Sequence, residues 1–159
     1  AWKRLAGTNR LAVVERSSGG PPRLRLTLNL GRGASEIRLR EGQTPRDAEE
    51  AAIELAASIA AAAVASGFET GLEVVGVVAP RIEPSSGRRG LERIMDVLAG
   101  LDLSATRRRD SIPGGSGLRE VRVVVEPGES TALDGDDRTW RFGSARLDSL
   151  RSSPREATA

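Results

Sequence analysis

Apolar and polar residues along this chain follow patterns typical of strands and helices. Residues 23–30, RLRLTLNL, alternate four leucines with polar side chains at a period of two, which predicts a β-strand. Residues 70–80, TGLEVVGVVAP, are almost continuously apolar, as in a strand covered on both faces. The other predicted strands are 11–15, 120–125 and TWRFG (139–143), with RIEP (81–84) as a hairpin partner and EIRLR (36–40) as a short edge strand.

Two segments have helical signals. Thr44 can cap a helix, Pro45 suits its first position and Asp47 lies three residues beyond the cap. This helix is predicted to run to Ser66, with Gly67 supplying the left-handed C-terminal turn. A second helix is predicted within residues 87–103, where apolar residues recur at helical spacing.

The order strand, helix, strand, helix, strand indicates right-handed crossovers and a largely parallel sheet. We therefore expect a three-layer α/β fold with helices on both faces of the sheet and with strands 23–30, 71–79 and 120–125 adjacent. The predicted organisation is an N-terminal strand segment at 1–16, an α/β domain at 17–151 and a disordered tail at 152–159.

Composition narrows the chemistry that this fold can perform. The 159 residues include no cysteine, histidine or tyrosine, which excludes disulfides, Ser-His-Asp triads and histidine-based metal sites. The sequence pI is 10.2, but 24 basic residues face 22 acidic ones and the formal charge is only +2. The high pI reflects the lack of groups that titrate between carboxylates and arginines rather than a strongly basic surface.

The N-terminal segment AWKRLAGTNRLAVVE resembles the tryptophan-containing motif of the bacterial family called domain of unknown function 58. Trp2, Lys3, Ala6, Leu11 and Val13 fit that motif, while Leu5 and Gly7 stand where the family has serine and arginine. The following leucine-rich strand, alanine-rich helix, apolar strand and GRRG-led helix are similar to the family as far as about residue 103. The resemblance implies a Rossmann-like domain of the von Willebrand factor A type.

Such domains hold Mg²⁺ in a metal-ion-dependent adhesion site after the first strand, and the resemblance places that site at Asn29, Gly31 and Gly33. Asn29 offers a neutral carbonyl where the family has Asp, and the two glycines offer no side-chain oxygen. Arg32 adds a positive charge, and Glu126 after the late strand is only an approximate acid. We therefore expect a degenerate site that binds no metal, and no cofactor.

Other candidate sites have weaker signals. The loop GRGASE at 31–36 contains the first half of the dinucleotide-binding pattern G-x-G-x-x-G. The following helix begins only near Thr44, so its N-terminus would not face this loop. A turn that needs glycine's backbone freedom is therefore the favoured interpretation of the two glycines. The acids Asp134, Asp136 and Asp137 could form a catalytic carboxylate pair, although such a cluster is more often a surface turn. The run Arg107–Arg109 is interpreted as a solvated connection, with phosphate binding as the alternative.

These observations predict a noncatalytic protein-interaction domain that docks a partner at the carboxyl ends of its strands. The resemblance adds an adaptor role with a MoxR-type AAA+ ATPase and an N-terminal membrane anchor absent from this chain. The cytoplasmic side is favoured for the soluble domain, with the extracytoplasmic side as the alternative. Its alternative is a module that binds nucleic acid or anionic surfaces, against which the balanced charge and the 3% aromatic content argue. The predicted partner-binding residues are Arg32, Arg38, Arg40, Arg81, Arg88 and Arg89.

Overall fold

A computed structural model describes residues 20–110, 112, 119–129 and 138–145. In chain order the elements are β1 (Arg23–Asn29), a 3₁₀ turn (Ala34–Glu36), α1 (Pro45–Ala65), β2 (Glu69–Val75), β3 (Ile82–Ser85), α2 (Gly87–Ala99), β4 (Glu120–Glu126) and β5 (Thr139–Gly143). The predicted strand at 11–15, the tryptophan motif and the tail at 152–159 lie outside the described residues.

The sheet has the strand order β3-β2-β1-β4-β5. All neighbouring pairs are parallel except β2 with β3, which form the predicted antiparallel pair. The prediction that β2, β1 and β4 are adjacent and parallel is confirmed, and TWRFG is a strand. Neither α1 nor α2 is long and apolar enough to cross a bilayer.

The two helices share one face of the sheet. Leu24, Leu26 and Leu28 of β1 lie in one hydrophobic core with alanines of α1 and with Ile94 of α2. Successive side chains of a strand point to opposite faces, so both helices cover the leucine face. The predicted arrangement with helices on both faces is not formed by α1 and α2. β3 runs antiparallel to β2 and brings the chain to the amino edge before α2, so the crossover rule for parallel strands does not place α2 on the opposite face.

The other face of the sheet is polar in β1, β4 and β5. Arg25 pairs across the sheet with Arg122, and Thr27 and Asn29 follow on the same face of β1. Arg25 is held between Glu120, at 2.7 Å, and Glu83, at 3.4 Å. The alternation RLRLTLN therefore separates a leucine face from a charged face, rather than marking a strand apolar on both sides.

Small residues and a capping box place α1 close on the sheet. Thr44 Oγ1 accepts a hydrogen bond from the Asp47 N–H, and the Asp47 carboxylate accepts one from the Thr44 N–H, as predicted. Gly67 has a φ of 89°, the left-handed conformation expected after the helix. The fully buried face of the helix consists of alanines, which let the helix approach the sheet: Ala48, Ala52, Ala56, Ala60 and Ala63.

Three predicted boundaries shift. EIRLR is not a strand: Glu36 ends the 3₁₀ turn and residues 37–40 form a loop, in which the Arg38 backbone lies next to Gly128 of the turn after β4. β2 ends at Val75 rather than near residue 80, since Gly76 leaves the strand with a φ of 96°. α2 ends at Ala99, and Gly100 caps it.

Candidate functional site

The candidate site lies at the carboxyl ends of β1 and β4. From β1 the chain moves to β2 on one side, and it later returns to β4 on the other side. Open α/β sheets bind ligands at such a switch point, outside the carboxyl ends of the strands. Asn29 ends β1 and Glu126 ends β4, so the parallel register brings both residues to this position.

Glu126 is a fully buried carboxylate surrounded by positive and polar groups of the same chain. Its Oε1 accepts a hydrogen bond from Arg141 Nη1 at 3.2 Å and one from Asn29 Nδ2 at 3.4 Å. Its Oε2 lies 3.0 Å from Arg32 Nη2, a distance typical of an ion pair, although the geometry is not that of a hydrogen bond. We call these four residues the Glu126 cluster. A buried carboxylate requires such compensation, because an unpaired charge in the interior costs several kcal/mol.

Both polar atoms of the Asn29 side chain form hydrogen bonds within the chain. Its Nδ2 donates to Glu126, and its Oδ1 accepts a hydrogen bond from the Gly31 N–H at 3.0 Å. An aspartate here could not donate to Glu126 and would set a second carboxylate against it. The amide is therefore the side chain that this arrangement needs.

The two glycines of the loop differ from the predicted turn. Neither Gly31 nor Gly33 has a positive φ, so backbone freedom does not explain them. Gly31 is in a crowded place: a Cβ on it would lie 3.1 Å from the Arg108 carbonyl oxygen, and a Cβ on Gly76 would lie 2.3 Å from the Gly31 nitrogen. The close approach of the neighbouring backbone explains Gly31. A Cβ on Gly33 would meet the Ser35 hydroxyl at an ordinary contact distance of 3.9 Å, and nothing in the structure explains that glycine.

The residues at the switch point do not fit a divalent cation. The Asn29 carbonyl is already hydrogen-bonded, and Gly31 and Gly33 provide no side-chain oxygen. The Arg32 guanidinium lies against the carboxylate of Glu126. Within residues 20–110, 112, 119–129 and 138–145, no group of three or more acidic side chains could hold a metal. The Arg32 guanidinium of the same chain occupies the position beside Glu126 where a metal ion would bind.

The segment 101–110 crosses the same edge of the sheet. The Arg108 N–H donates to the Gly76 carbonyl at 2.9 Å, Arg107 lies 2.8 Å from Glu49 of α1, and Arg109 lies 3.0 Å from Glu36. Arg107 is largely buried in its ion pair, so the interpretation of this run as fully solvated is wrong for that residue. Burial raises the pKa of Glu49, and the Arg107 charge offsets only part of that effect.

The predicted partner-binding arginines lie in three separate places. Arg32, Arg38 and Arg40 follow β1 and lie at the carboxyl edge, where Arg40 Nη2 donates to the Ala145 carbonyl at 2.8 Å. Arg81 precedes β3 and pairs with Glu83. Arg88 and Arg89 begin α2, next to the start of β2, since Ser85 pairs with Thr70. The expected convergence of all six arginines is wrong, because β3 carries residues 85–89 to the opposite edge.

The sequence interpretation missed Arg141 and Glu49. Arg141 belongs to TWRFG, and its alternation with Trp140 and Phe142 places it on the polar face of β5, next to β4. Only the pairing of β5 with β4 shows that it reaches Glu126. Glu49 is on the first turns of α1, and no sequence pattern links it to Arg107. The predicted carboxylate cluster Asp134, Asp136 and Asp137 lies outside the described residues.

Several other side chains at this edge remain exposed. Leu39, between Arg38 and Arg40, keeps 37% of its surface, and Val78, in the loop after β2, keeps 77%. Arg108 is exposed beside the ends of β1 and β2. We call this set the edge surface: Arg38, Leu39, Arg40, Val78 and Arg108.

Comparison of the chain with protein-family models, with curated proteins and with solved structures finds no match. The function must therefore be argued from the residues of the site.

Proposed function

We propose that this chain is a noncatalytic protein-interaction domain that docks a partner on the edge surface. The proposal rests on a difference between two sets of side chains at the carboxyl edge. The buried acid Glu126 is neutralised by Arg32 and Arg141, whereas apolar side chains with neighbouring arginines remain open to solvent.

The chemistry of the edge surface suits an acidic segment that also carries apolar side chains. Arginine pairs bidentately with carboxylates and is weakly hydrated, so it is enriched at protein interfaces. Leu39 and Val78 supply apolar area next to those charges. Exposed apolar groups among cations favour a protein partner over bare phosphate, which the cations alone would attract.

The resemblance to the domain of unknown function 58 family suggests which partner to test first. Proteins of that family are encoded near MoxR-type AAA+ ATPases and carry membrane helices at their N-termini. An ATPase of this type, bound by a membrane-anchored adaptor, is therefore the first partner that we propose. The comparisons add no support to it, so this part of the proposal rests on the resemblance.

Site-specific photo-crosslinking tests the docking surface. A photoreactive amino acid replaces Leu39 in one variant and Arg89 in another, and both variants are expressed in the native organism. We expect a specific protein adduct from position 39, identified by mass spectrometry, that is lost when Arg38→Glu and Arg108→Glu are added. The matched control is Arg88→Glu with Arg89→Glu, which makes the same charge change at the opposite edge and should leave the adduct in place.

Two results would contradict the proposal. An adduct that survives Arg38→Glu with Arg108→Glu, in a variant of unchanged thermal stability, shows that the edge surface is not the docking face. Salt-sensitive binding of the purified domain to random DNA, lost with the same two changes, would instead assign the arginines to the nucleic-acid alternative.

A further inference from the structure

Two polar regions outside the edge surface differ in how their polar groups are paired. In the shallow groove between α1 and α2, which Ala57 and Met95 help to line, Glu50 forms an ion pair with Arg46 at 3.3 Å. On the polar face of the sheet, opposite the leucine face, neighbouring buried atoms have no hydrogen-bond partner: Arg25 Nη1, Thr27 Oγ1 and Glu73 Oε2. Buried polar atoms are nearly always hydrogen-bonded, so these atoms mark a candidate binding site.

The register of the sheet brings the three side chains together. Thr27 of β1 pairs with Glu73 of β2, so the two side chains lie side by side on the polar face. Arg25 precedes Thr27 by two residues and therefore lies on the same face of β1. On the other side of Thr27, β4 places Val124, which is fully buried. A donor, a hydroxyl and a carboxylate are thus neighbours, with an apolar side chain beside them.

The charges of Arg25 and Glu73 are paired differently. The Arg25 guanidinium lies 2.7 Å from Glu120 through Nε and 3.4 Å from Glu83 through Nη2, so two acids already compensate it. Among the described residues, Glu73 forms no ion pair, and its Oε2 is buried. A carboxylate removed from water without a partner attracts a cation. The group that this site lacks is therefore positively charged.

Access to the site is from the Glu73 side. Thr27 is fully buried and the Arg25 side chain keeps only 8% of its surface, so a folded partner cannot contact them. Glu73 is partly exposed and lies one residue beyond Leu72, which pairs with the first residue of β3. The ligand must therefore be a small molecule.

We propose that Arg25, Thr27 and Glu73 bind a small molecule that carries a primary ammonium group next to an oxygen acceptor, as amino alcohols do. The ammonium donates to Glu73 Oε2 and to the Thr27 hydroxyl, and the oxygen accepts from Arg25 Nη1. Carboxylates and phosphates are disfavoured, because they face Glu73 and compete with two acids for Arg25. This site is separate from the edge surface, so it does not depend on the proposed function.

Methyl NMR with ethanolamine as the probe tests the site. Millimolar ethanolamine should shift the methyl signal of Thr27, assigned with a Thr27→Val variant, and the methyl signals of Val124. Ethylammonium lacks the oxygen and should bind about tenfold more weakly, as expected for the loss of one hydrogen bond to a charged group. Ethylene glycol lacks the charge and should leave the signals in place at the same concentration.

Isosteric variants test the two recognition groups. Glu73→Gln should weaken ethanolamine about tenfold, because it removes the charge that the ammonium meets. The matched control is Glu69→Gln, the same change on the same strand, at a residue that already pairs with Arg23. The control should change the affinity by less than about twofold, as expected for a distant charge that salt screens.

Thr27→Val keeps the shape of the side chain and removes the hydroxyl. It should weaken ethanolamine, measured by the Val124 signals, without lowering the melting temperature, since the hydroxyl that it removes has no partner in the protein. This variant also tests the site if Glu73→Gln is poorly folded.

Three outcomes overturn the proposal. Thr27 and Val124 signals that ethanolamine does not move show that the site takes no such ligand. An equal response to ethylene glycol shows that the charge of Glu73 recognises nothing. Equal weakening by Glu69→Gln shows attraction to the whole protein rather than to this site.

Discussion

The Glu126 cluster and the groove between α1 and α2 both contain carboxylates beside arginines, yet the two regions differ in access to solvent. Glu126 is fully buried, and two guanidinium groups contact its two oxygens. Glu50 in the groove is exposed and pairs with an equally exposed Arg46. Burial makes the first set of contacts a structural requirement, whereas water screens the second set and leaves it free to exchange partners.

This difference indicates where binding should be sought. At the switch point, where many α/β folds bind a ligand, the ligand position is held by Arg32 of the same chain. In the groove between α1 and α2, Glu50 forms an exposed ion pair with Arg46, and at the edge surface Arg38 and Arg108 are exposed. Each of the following predictions therefore sets a change at a buried position against a control.

The largest effect is expected from Glu126→Gln. The change leaves two partly buried guanidinium groups facing a neutral amide, so the free energy of unfolding should fall by about 3–5 kcal/mol. Glu50→Gln, the matched change in the groove, should stay within about 0.5 kcal/mol of the unmodified protein. Urea unfolding followed by circular dichroism measures both. A loss below about 1 kcal/mol for Glu126→Gln would show that the cluster does not require the charge.

Asn29→Asp should destabilise the protein less, by about 2 kcal/mol, because it removes a hydrogen-bond donor to a charged group and adds a like charge. Millimolar Mg²⁺ should not restore the lost stability, since Arg32 holds the position beside Glu126. Thermal unfolding with and without Mg²⁺ is the measurement, and the unmodified protein is the control. A rise in melting temperature that occurs only in the variant would show that a cation can displace the guanidinium.

Adjacent alanines of α1 provide the third comparison. Ala56 is fully buried against the sheet, whereas Ala57 lines the groove. Ala56→Leu should cost about 1–3 kcal/mol by overpacking the contact between α1 and the sheet, and Ala57→Leu should be close to neutral. Chemical denaturation measures both changes. Equal losses at the two positions would mean that the groove is packed as tightly as the core.

The smallest effect concerns pH and the buried carboxylate of Glu49. Burial raises the folded-state pKa of Glu49 above its ordinary value of 4.5. The folded state then binds the proton more strongly than the unfolded state does, so the contribution of Glu49 to stability is present below pH 4.5 and is lost as the pH rises through the raised pKa. Hydrogen bonds from Thr44 lower the pKa of Asp47, an effect of opposite sign that is common to Glu49→Gln and the unmodified protein.

Unfolding free energies measured across that window test this contribution. Relative to the unmodified protein, Glu49→Gln should become less unfavourable as the pH rises. A difference between the two proteins that stays constant across the window would mean that Glu49 is not desolvated by its contact with the segment 101–110.

Local patterns were sufficient to predict most elements of this fold. Thr44, Asp47 and Gly67 fix the ends of α1 through contacts within a few residues, and the strand-end rule brings Asn29 to Glu126. The side of the sheet on which a helix packs depends on the path of the whole chain. The antiparallel direction of β3 decides both the shared face of the helices and the position of Arg88 and Arg89.

The alternation in β1 contained more information than the prediction used. A strand covered by helices on both faces is apolar throughout, whereas Arg23, Arg25, Thr27 and Asn29 occupy one face of β1. The contacts of the Glu126 cluster, in contrast, could not be predicted from the alternation of residues along a strand. Arg32 and Arg141 reach Glu126 from a loop and from a different strand, and only the tertiary structure brings them together.

The central position of β1 has a consequence for the nascent chain. β2 follows β1 closely in the sequence, but β4, which pairs with the other side of β1, begins only at Glu120. Before β4 is synthesised, one edge of β1 therefore has no partner strand from β4. Charged side chains within an edge strand discourage pairing with a second chain, and Arg23 and Arg25 lie within β1. We therefore expect these two arginines, which form ion pairs in the folded domain, also to disfavour pairing between incomplete chains.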